Sequence, residues 1–463
     1  MPLSIKLMRA ALLACAVSLA GTAHADFTAA LKDYTEGRFD AARTQFLSLA
    51  ELGDCPSQFN LGAMALKGQG APQDRGAGVG WLQAALSNGC RQQVGERLPG
   101  LQATLSPEQH RAAEDIVARY GHDALEAQGV VNPNFECQAL SPATVRDTPE
   151  AEYPHLRDPQ NAEAIVVTAF TIGVDGYARD PQVLLSVPQQ GFPGAAVEAW
   201  LNSRFLPATR AGVPVESRLQ AKLRFVGSSG NLAASPVYKA ALPAADSGDP
   251  AAQYLVGLTA TLDSSLGVMS SRAGHMLIDS ARAGNANAQY WVAVQLRAAA
   301  ACHAQANWQR WLRHAAEGGS APAEADYAAE LLHGTPTPEQ VAEARALLAR
   351  AAASTDYYGR KHAVALLAAS PMEAVRDPKL ALSAANSLVH ANEIQSDPQM
   401  FEVVAAAYAA NHEYGNAVDA QRQAIQKAAT LGWNTAAMQE RLAAYRHDAP
   451  WVGDLYAALP AGR

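Results

Sequence analysis

Two hydrophobic rhythms divide the chain. From Phe27 to about residue 130, and again from about 235 to the end, apolar positions recur at helical spacing, whereas between Pro149 and Gly227 they read as strands. The helical parts carry an internal repeat. Gly53-Asp54 and Gly89-Cys90 are 36 residues apart, Gly248-Asp249 and Gly284-Asn285 are again 36 apart, and Gly319-Ser320 follows at 35. Shortly before a repeat glycine, or at the matching place in the last unit, stands one bulky residue in a run of small ones: Trp81, Met276, Trp311 and Leu347. Two helical segments per 35–36 residues predict stacked helical hairpins, in which small residues let helices approach and the bulky one fills the remaining gap. Gly68-Gln69-Gly70 breaks the chain inside one unit, and Asp74 is placed to start the next helix.

The middle segment predicts strand, strand, helix, strand. Ala164–Ile172 is apolar and β-branched, Val174-Asp175-Gly176 supplies a hairpin turn, and Tyr177–Val187 contains Pro181, which suits an edge strand. Gly194–Arg204 is expected to be helical with Val197, Trp200 and Leu201 on one face. Arg218–Phe225 alternates strictly: Leu219, Ala221, Leu223 and Phe225 point one way, Arg218, Gln220, Lys222 and Arg224 the other. The expected fold class is therefore α+β and multidomain, an α-helical repeat solenoid interrupted by a small β-β-α-β domain. The expected boundaries are a leader at 1–25, repeats at 26–130, a linker at 131–147, the β domain at 148–228, a linker at 229–234, repeats at 235–370, and helical hairpins with a tail at 371–463.

Residues 1–25 have the parts of a secretory leader. Lys6 and Arg9 precede an apolar run from Ala10 to Ala20, and Ala23-His24-Ala25 offers a small-x-small site, so cleavage is expected between Ala25 and Asp26. An uncleaved anchor is the alternative; a lipoprotein reading at Cys15 leaves almost no apolar stretch before the cysteine. The chain has 36 Lys+Arg against 44 Asp+Glu, a net charge of −8, which argues against a nucleic-acid partner. Beyond the leader no apolar run reaches the ~20 residues that cross a bilayer, so an integral membrane protein is not expected. After the leader four cysteines remain, Cys55, Cys90, Cys137 and Cys302, none in a Cys-x-x-Cys pair. An oxidising compartment permits disulfides in three pairings. Cys55–Cys90 is one candidate, although packed helices sit ~8–10 Å apart and bridged Cα atoms need to be closer than ~7 Å.

The repeat from Leu49 to Gly89, with Asn60-Leu61-Gly62, Gly68-Gln69-Gly70, Asp74 and Trp81-Leu82, resembles the Sel-one-like subfamily of tetratricopeptide-like repeats. Phe401–Ala429 is similar to an ordinary tetratricopeptide hairpin. The middle segment resembles the C-terminal domain of TonB, the periplasmic energy transducer. The marks are Tyr153-Pro154, Ala164–Ile172 leading into Asp175-Gly176, Val183–Ser186, Arg204-Phe205-Leu206-Pro207-Ala208, Gly212-Val213-Pro214-Val215 and the last strand. The resemblance implies a three-stranded sheet with a helix on one face and an exposed edge that receives an extended peptide, and it places that edge on the strand carrying Arg218, Gln220, Lys222 and Arg224. Main-chain groups of such an edge supply affinity; charges on it also deter pairing with further copies.

No catalytic constellation emerges. His412-Glu413-Tyr414-Gly415-Asn416 fails the zincin pattern, Gly227-Ser228-Ser229-Gly230 reads as a linker, no phosphate loop occurs, and His303 beside Cys302 points elsewhere on a helix. No catalytic residue, metal ligand or cofactor is therefore assigned, and the chain is not expected to be an enzyme. The expected function is a periplasmic Gram-negative adaptor. It takes an extended peptide by strand addition and a second protein on the repeats, and is accessory to TonB-dependent transport, with outer-membrane receptors or TonB-system components as partners. A true TonB-type energy transducer for outer-membrane receptors, with the leader kept uncleaved as an anchor, is the second reading; it is ranked lower because the leader reads as cleavable and residues 131–150 hold no long Pro-rich spacer. A hydrolase whose two carboxylates leave no local signature is the third reading.

Overall fold

The computed structural model describes residues 26–456 apart from 97, 138–139, 150, 155–163, 226–235, 264–267, 301, 303–306 and 391–393. The leader, Ala25, His303 and the glycine-serine linker lie outside the described residues. The N-terminal repeats comprise α1 (Phe27–Thr35), α2 (Phe39–Ala50), α3 (Cys55–Lys67), α4 (Arg75–Ser87), the short α5 (Arg91–Val94) and α6 (Leu98–Gln102), then α7 (Pro107–Tyr120) and α8 (His122–Ala127). The second array begins with α10 (Pro236–Asp246). It continues as hairpins α11–α12 (Pro250–Leu262, Ser270–Arg282), α13–α14 (Ala286–Ala299, Trp308–Glu317), α15–α16 (Ala321–Leu331, Pro338–Ala353), α17–α18 (Tyr357–Ala369, Pro378–His390) and α19–α20 (Pro398–Ala410, Tyr414–Leu431), closed by α21 (Ala436–Arg446). The interruption holds β1 (Leu140–Ser141), β2 (Thr144–Asp147), β3 (Ala164–Ile172), β4 (Ala178–Val187), α9 (Pro193–Asn202), β5 (Arg204–Leu206), β6 (Ala208–Arg210), β7 (Val213–Val215) and β8 (Ser217–Phe225).

The repeated Gly-polar pair is a joint between helices. Gly53, Gly248, Gly284 and Gly319 all have φ between +79° and +98°, a left-handed turn that ends one helix cheaply only with glycine. In three of these units the next residue caps the following helix: Asp54 accepts from the Ser57 N–H, Asp249 from Ala252 and Asn285 from Ala288. The bulky residues Trp81, Met276, Trp311 and Leu347 are all buried, Trp311 completely. Small residues set the helix spacing. A Cβ on Gly359 of α17 would lie 2.5 Å from the Ala321 carbonyl carbon at the start of α15, so Gly359→Ala is expected to cost about 1–3 kcal/mol through overpacking, measured by urea unfolding.

Within the β domain, β4, β3 and β8 form an antiparallel sheet in that order, with β3 in the middle. The β3–β8 register is continuous from Ala164 opposite Phe225 to Ile172 opposite Ser217. Contrary to the expected linker at 131–147, residues 140–147 belong to this domain: β1 pairs with β6 and β2 with β5. Strands of two and four residues are too short to show a period. Both cysteine pairs are bridged. Cys55–Cys90 has Cα atoms 5.7 Å apart, closer than packed helix axes, because both residues stand where helices begin. Cys137–Cys302 joins the segment before β1 to the turn that follows α13.

Candidate functional site

The two faces of the sheet meet different neighbours. Val166 and Phe170 share a face with their register partners Leu223 and Leu219, and this face packs on α9: Phe170 and Trp200 have ring centroids 5.5 Å apart, and Val166 shares a core with Ala196. The opposite face, with Ile165 and Val167, joins the core of the second repeat array.

The four candidate edge residues lie on that second face, and the structure brings each to a partner. Lys222 Nζ is 2.7 Å and Arg224 Nη1 3.6 Å from Asp263, the buried residue that ends α11. Gln220 Oε1 accepts from the Trp291 indole N–H of α13 at 3.1 Å. Arg218 Nη1 is 3.7 Å from Asp180, its Nη2 donates to Gln182 at 2.6 Å, and its guanidinium lies over the Tyr358 ring of α17. These polar side chains are thus directed at the repeats rather than into solvent. The strand itself stands at the margin of the sheet, and among the described residues no strand pairs with its outer side. Ser217–Arg224 are all half-buried.

At the centre of this interface is a group of buried charges that strand alternation does not announce. Asp180 of β4 has φ +51°, a left-handed backbone that a residue other than glycine keeps only where its surroundings fix it. Four groups do so. His362 Nε2 lies 2.8 Å and Lys361 Nζ 3.0 Å from Oδ1, Arg218 faces Oδ2, and the Asp180 N–H donates to Gln399 Oε1 of α19. Lys361 also donates to Asp397 at 2.8 Å, where the Tyr357 hydroxyl donates at 2.7 Å. The His362 ring stacks on Tyr456 and packs at a tilt against Tyr358. Burial pushes the Asp180 carboxyl up, but His362, Lys361 and Arg218 outweigh it and hold it well below the usual carboxylate range. Burial likewise lowers Lys361, and Asp397 with Asp180 more than reverses that. Sequence reasoning missed Asp180, Lys361, His362 and Asp397; the one available signal was an acid directly before the strand proline, Asp180-Pro181.

Apart from Tyr456, which follows α21, the partners just described in the second array come from the first helix of a hairpin or its end, α11, α13, α17 and α19; Arg204 Nη2 also donates to Leu431 O at the end of α20. The N-terminal repeats meet the second helices instead. The Phe27 N–H donates to Ala283 O, Ser48 Oγ lies 3.1 Å from His314 Nδ1, Glu51 is 3.5 Å from Arg313, and Arg310 donates to Gln128. Arg282 Nη2 donates to the Gly53 carbonyl. The second array therefore lies between the N-terminal repeats and the β domain. Asp26, the expected first residue after the leader, caps α1 through the Ala29 N–H.

Two cap carboxyls are buried without sufficient compensation. Burial pushes Asp54 up to about 6, against the Ser57 hydrogen bonds and Arg282, and pushes Asp356 at the start of α17 up to about 6 as well. Their unfolded values are about 3.9. Folding thus favours the protonated forms, and their contribution is full below about pH 4 and lost as pH rises to about 6. The Asp54→Asn/Asp356→Asn variant keeps both caps. Its urea midpoint is expected to fall less than that of the parent chain between pH 4 and 6; equal declines would mean that both carboxyls are ionised throughout.

Among the described residues no group of three or more His, Cys, Asp or Glu could hold a metal, and no helix is long and apolar enough to cross a membrane. Cys302 is bonded to Cys137, and His412 lies exposed in a turn beside Tyr414. No curated protein matches the chain. Among solved structures, c5321, a protective antigen present in uropathogenic Escherichia coli strains displaying an SLR fold, is similar at 14% identity over 90% of this chain and 83% of that one, with a TM-score of 0.29. Residues 149–226, the span from just after β2 to the end of β8, match the family model of the Gram-negative bacterial TonB protein C-terminal domain.

Proposed function

We propose that the chain is a non-enzymatic adaptor of the Gram-negative periplasm, whose β domain takes up an extended protein segment by strand addition along the outer side of β8. The observation that supports this is the contrast within one strand. The side chains of β8 are held by Asp263, Trp291 and Tyr358, while its outer main chain has no strand partner among the described residues. A strand fixed in this way is pre-organised for an incoming segment, which gains main-chain hydrogen bonds without ordering the acceptor. The roles of Arg218, Gln220, Lys222 and Arg224 are then to hold the acceptor strand, and selectivity comes from what flanks it. Residues 149–226 resemble a domain of the TonB system, which points to outer-membrane receptors or TonB-system components as donors of the segment, and to a role accessory to TonB-dependent transport. With the first helices of the second array covered by the β domain, a second protein partner is left the outer helices and the N-terminal repeats.

The test is hydrogen exchange on the full chain, alone and after capture of a partner from a solubilised outer-membrane extract. Amides of residues 217–225 are expected to slow in the complex. Capture with unchanged exchange there, and protection elsewhere, would contradict strand addition at this edge.

A further inference from the structure

We propose that the N-terminal repeats carry a binding site for an amphiphilic anion, a hydrocarbon chain ending in a carboxylate. The site is a groove of about 670 Å³ between α2, α3 and α4, closed at one end by the loop that joins α3 to α4. That volume lies within the range of single small-molecule sites, about 300–1,000 Å³. Its floor is apolar, formed by Leu47, Leu61, Met64 and Trp81. Its rim carries two guanidinium groups in a chain of net charge −8. Arg43 is exposed and makes no ion pair or hydrogen bond among the described residues. Arg75 donates one N–H to Thr104 Oγ1 at 2.7 Å and keeps others available. The one carboxylate on the rim, Asp74, is engaged in capping α4 through the Ala77 N–H. Two arginines above an apolar floor suit a carboxylate attached to a hydrocarbon.

The walls decide between an acyl chain and a peptide. An extended peptide needs main-chain partners along its length. Helical walls offer few, because their own backbone groups are paired internally, and the loop amides of Gln69 and Asp74 already donate to Met64 O and Ala65 O. A hydrocarbon chain needs no such partners. The site is separate from β8 and does not depend on strand addition.

Calorimetric titration of the full chain with dodecanoate, kept below micelle formation, tests this beside two controls, acetate and a hexapeptide with a C-terminal leucine. Dodecanoate is expected to bind one to one and acetate not at all. The Arg43→Ala/Arg75→Ala variant, altered only at exposed positions, is expected to bind dodecanoate at least tenfold more weakly. Ala65→Trp, which fills the groove from a half-buried wall position, is expected to abolish binding. Absence of dodecanoate binding to the parent chain would overturn the proposal. So would affinity unchanged in both variants, or the hexapeptide binding in place of dodecanoate.

Discussion

Lys361→Met is expected to destabilise the chain by about 3–5 kcal/mol, the usual cost of removing one partner from a buried ion pair. Lys361 and Asp397 are both fully buried, and Lys361 also holds Asp180. Without the ammonium, Asp180 still faces His362 and Arg218, but Asp397 keeps only the Tyr357 hydroxyl and the Gln399 N–H that it caps. A buried carboxylate with no cation is the costly product, and one consequence separates this from lost packing. Adding Asp397→Asn to Lys361→Met is expected to recover part of the loss, since it removes the unpaired charge. Urea midpoints at constant m-value read this effect. A single variant within about 1 kcal/mol of the parent would show that the pair is open to water.

Trp311→Ala is expected to cost a similar amount, about 3–5 kcal/mol, for a different reason. Trp311 is the largest fully buried side chain among the described residues and fills the gap that Trp81, Met276 and Leu347 fill in other units. Truncation leaves a cavity that helices held by alanine contacts on either side, among them Ala315 and Ala316, close only in part. Its indole N–H has no hydrogen-bond partner among the described residues, so nothing polar there is lost on replacing the ring by phenyl. Trp311→Phe is therefore expected to lose far less than Trp311→Ala. Equal losses from both would mean that shape rather than filled volume sets the repeat contact. Because Trp311 sits three residues before His314, a failure of packing there is also expected to loosen the Ser48 and Glu51 contacts of the N-terminal repeats, visible as faster exchange in α2.

What the sequence made legible follows from periodicity. The repeat glycines and their caps mark helix joints because only certain residues fit a left-handed turn followed by an N-cap, and all five repeat glycines have positive φ. The β-β-α-β order was readable because each element spans nine or ten residues, enough for its period to show. β1 and β2 were not, since two and four residues carry no period, and pairing with β6 and β5 depends on long-range contact. The alternation of β8 separated its two faces correctly, yet it does not say what a polar face meets. Water and Asp263 select the same residue types at Lys222 and Arg224, and only the three-dimensional return of α11 distinguishes them. The Asp180 group is hidden for the same reason: its members come from β4, β8, α17 and α19, and apart from Asp180-Pro181 none has a local signature. Four cysteines likewise fixed the number of pairings but not the choice between them.

The central claim is that the β domain is seated mainly on the first helices of the second array, which hold the side chains of β8, while among the described residues no strand pairs with its outer side. A double-mutant cycle between Asp180→Ala and His362→Ala measures that seating directly, because the two side chains meet only if the domain is docked, with Nε2 and Oδ1 2.8 Å apart. A coupling energy of about 0.5–3 kcal/mol is expected for such a contact. Losses that add within about 0.3–0.5 kcal/mol would place the two residues apart in solution and contradict it.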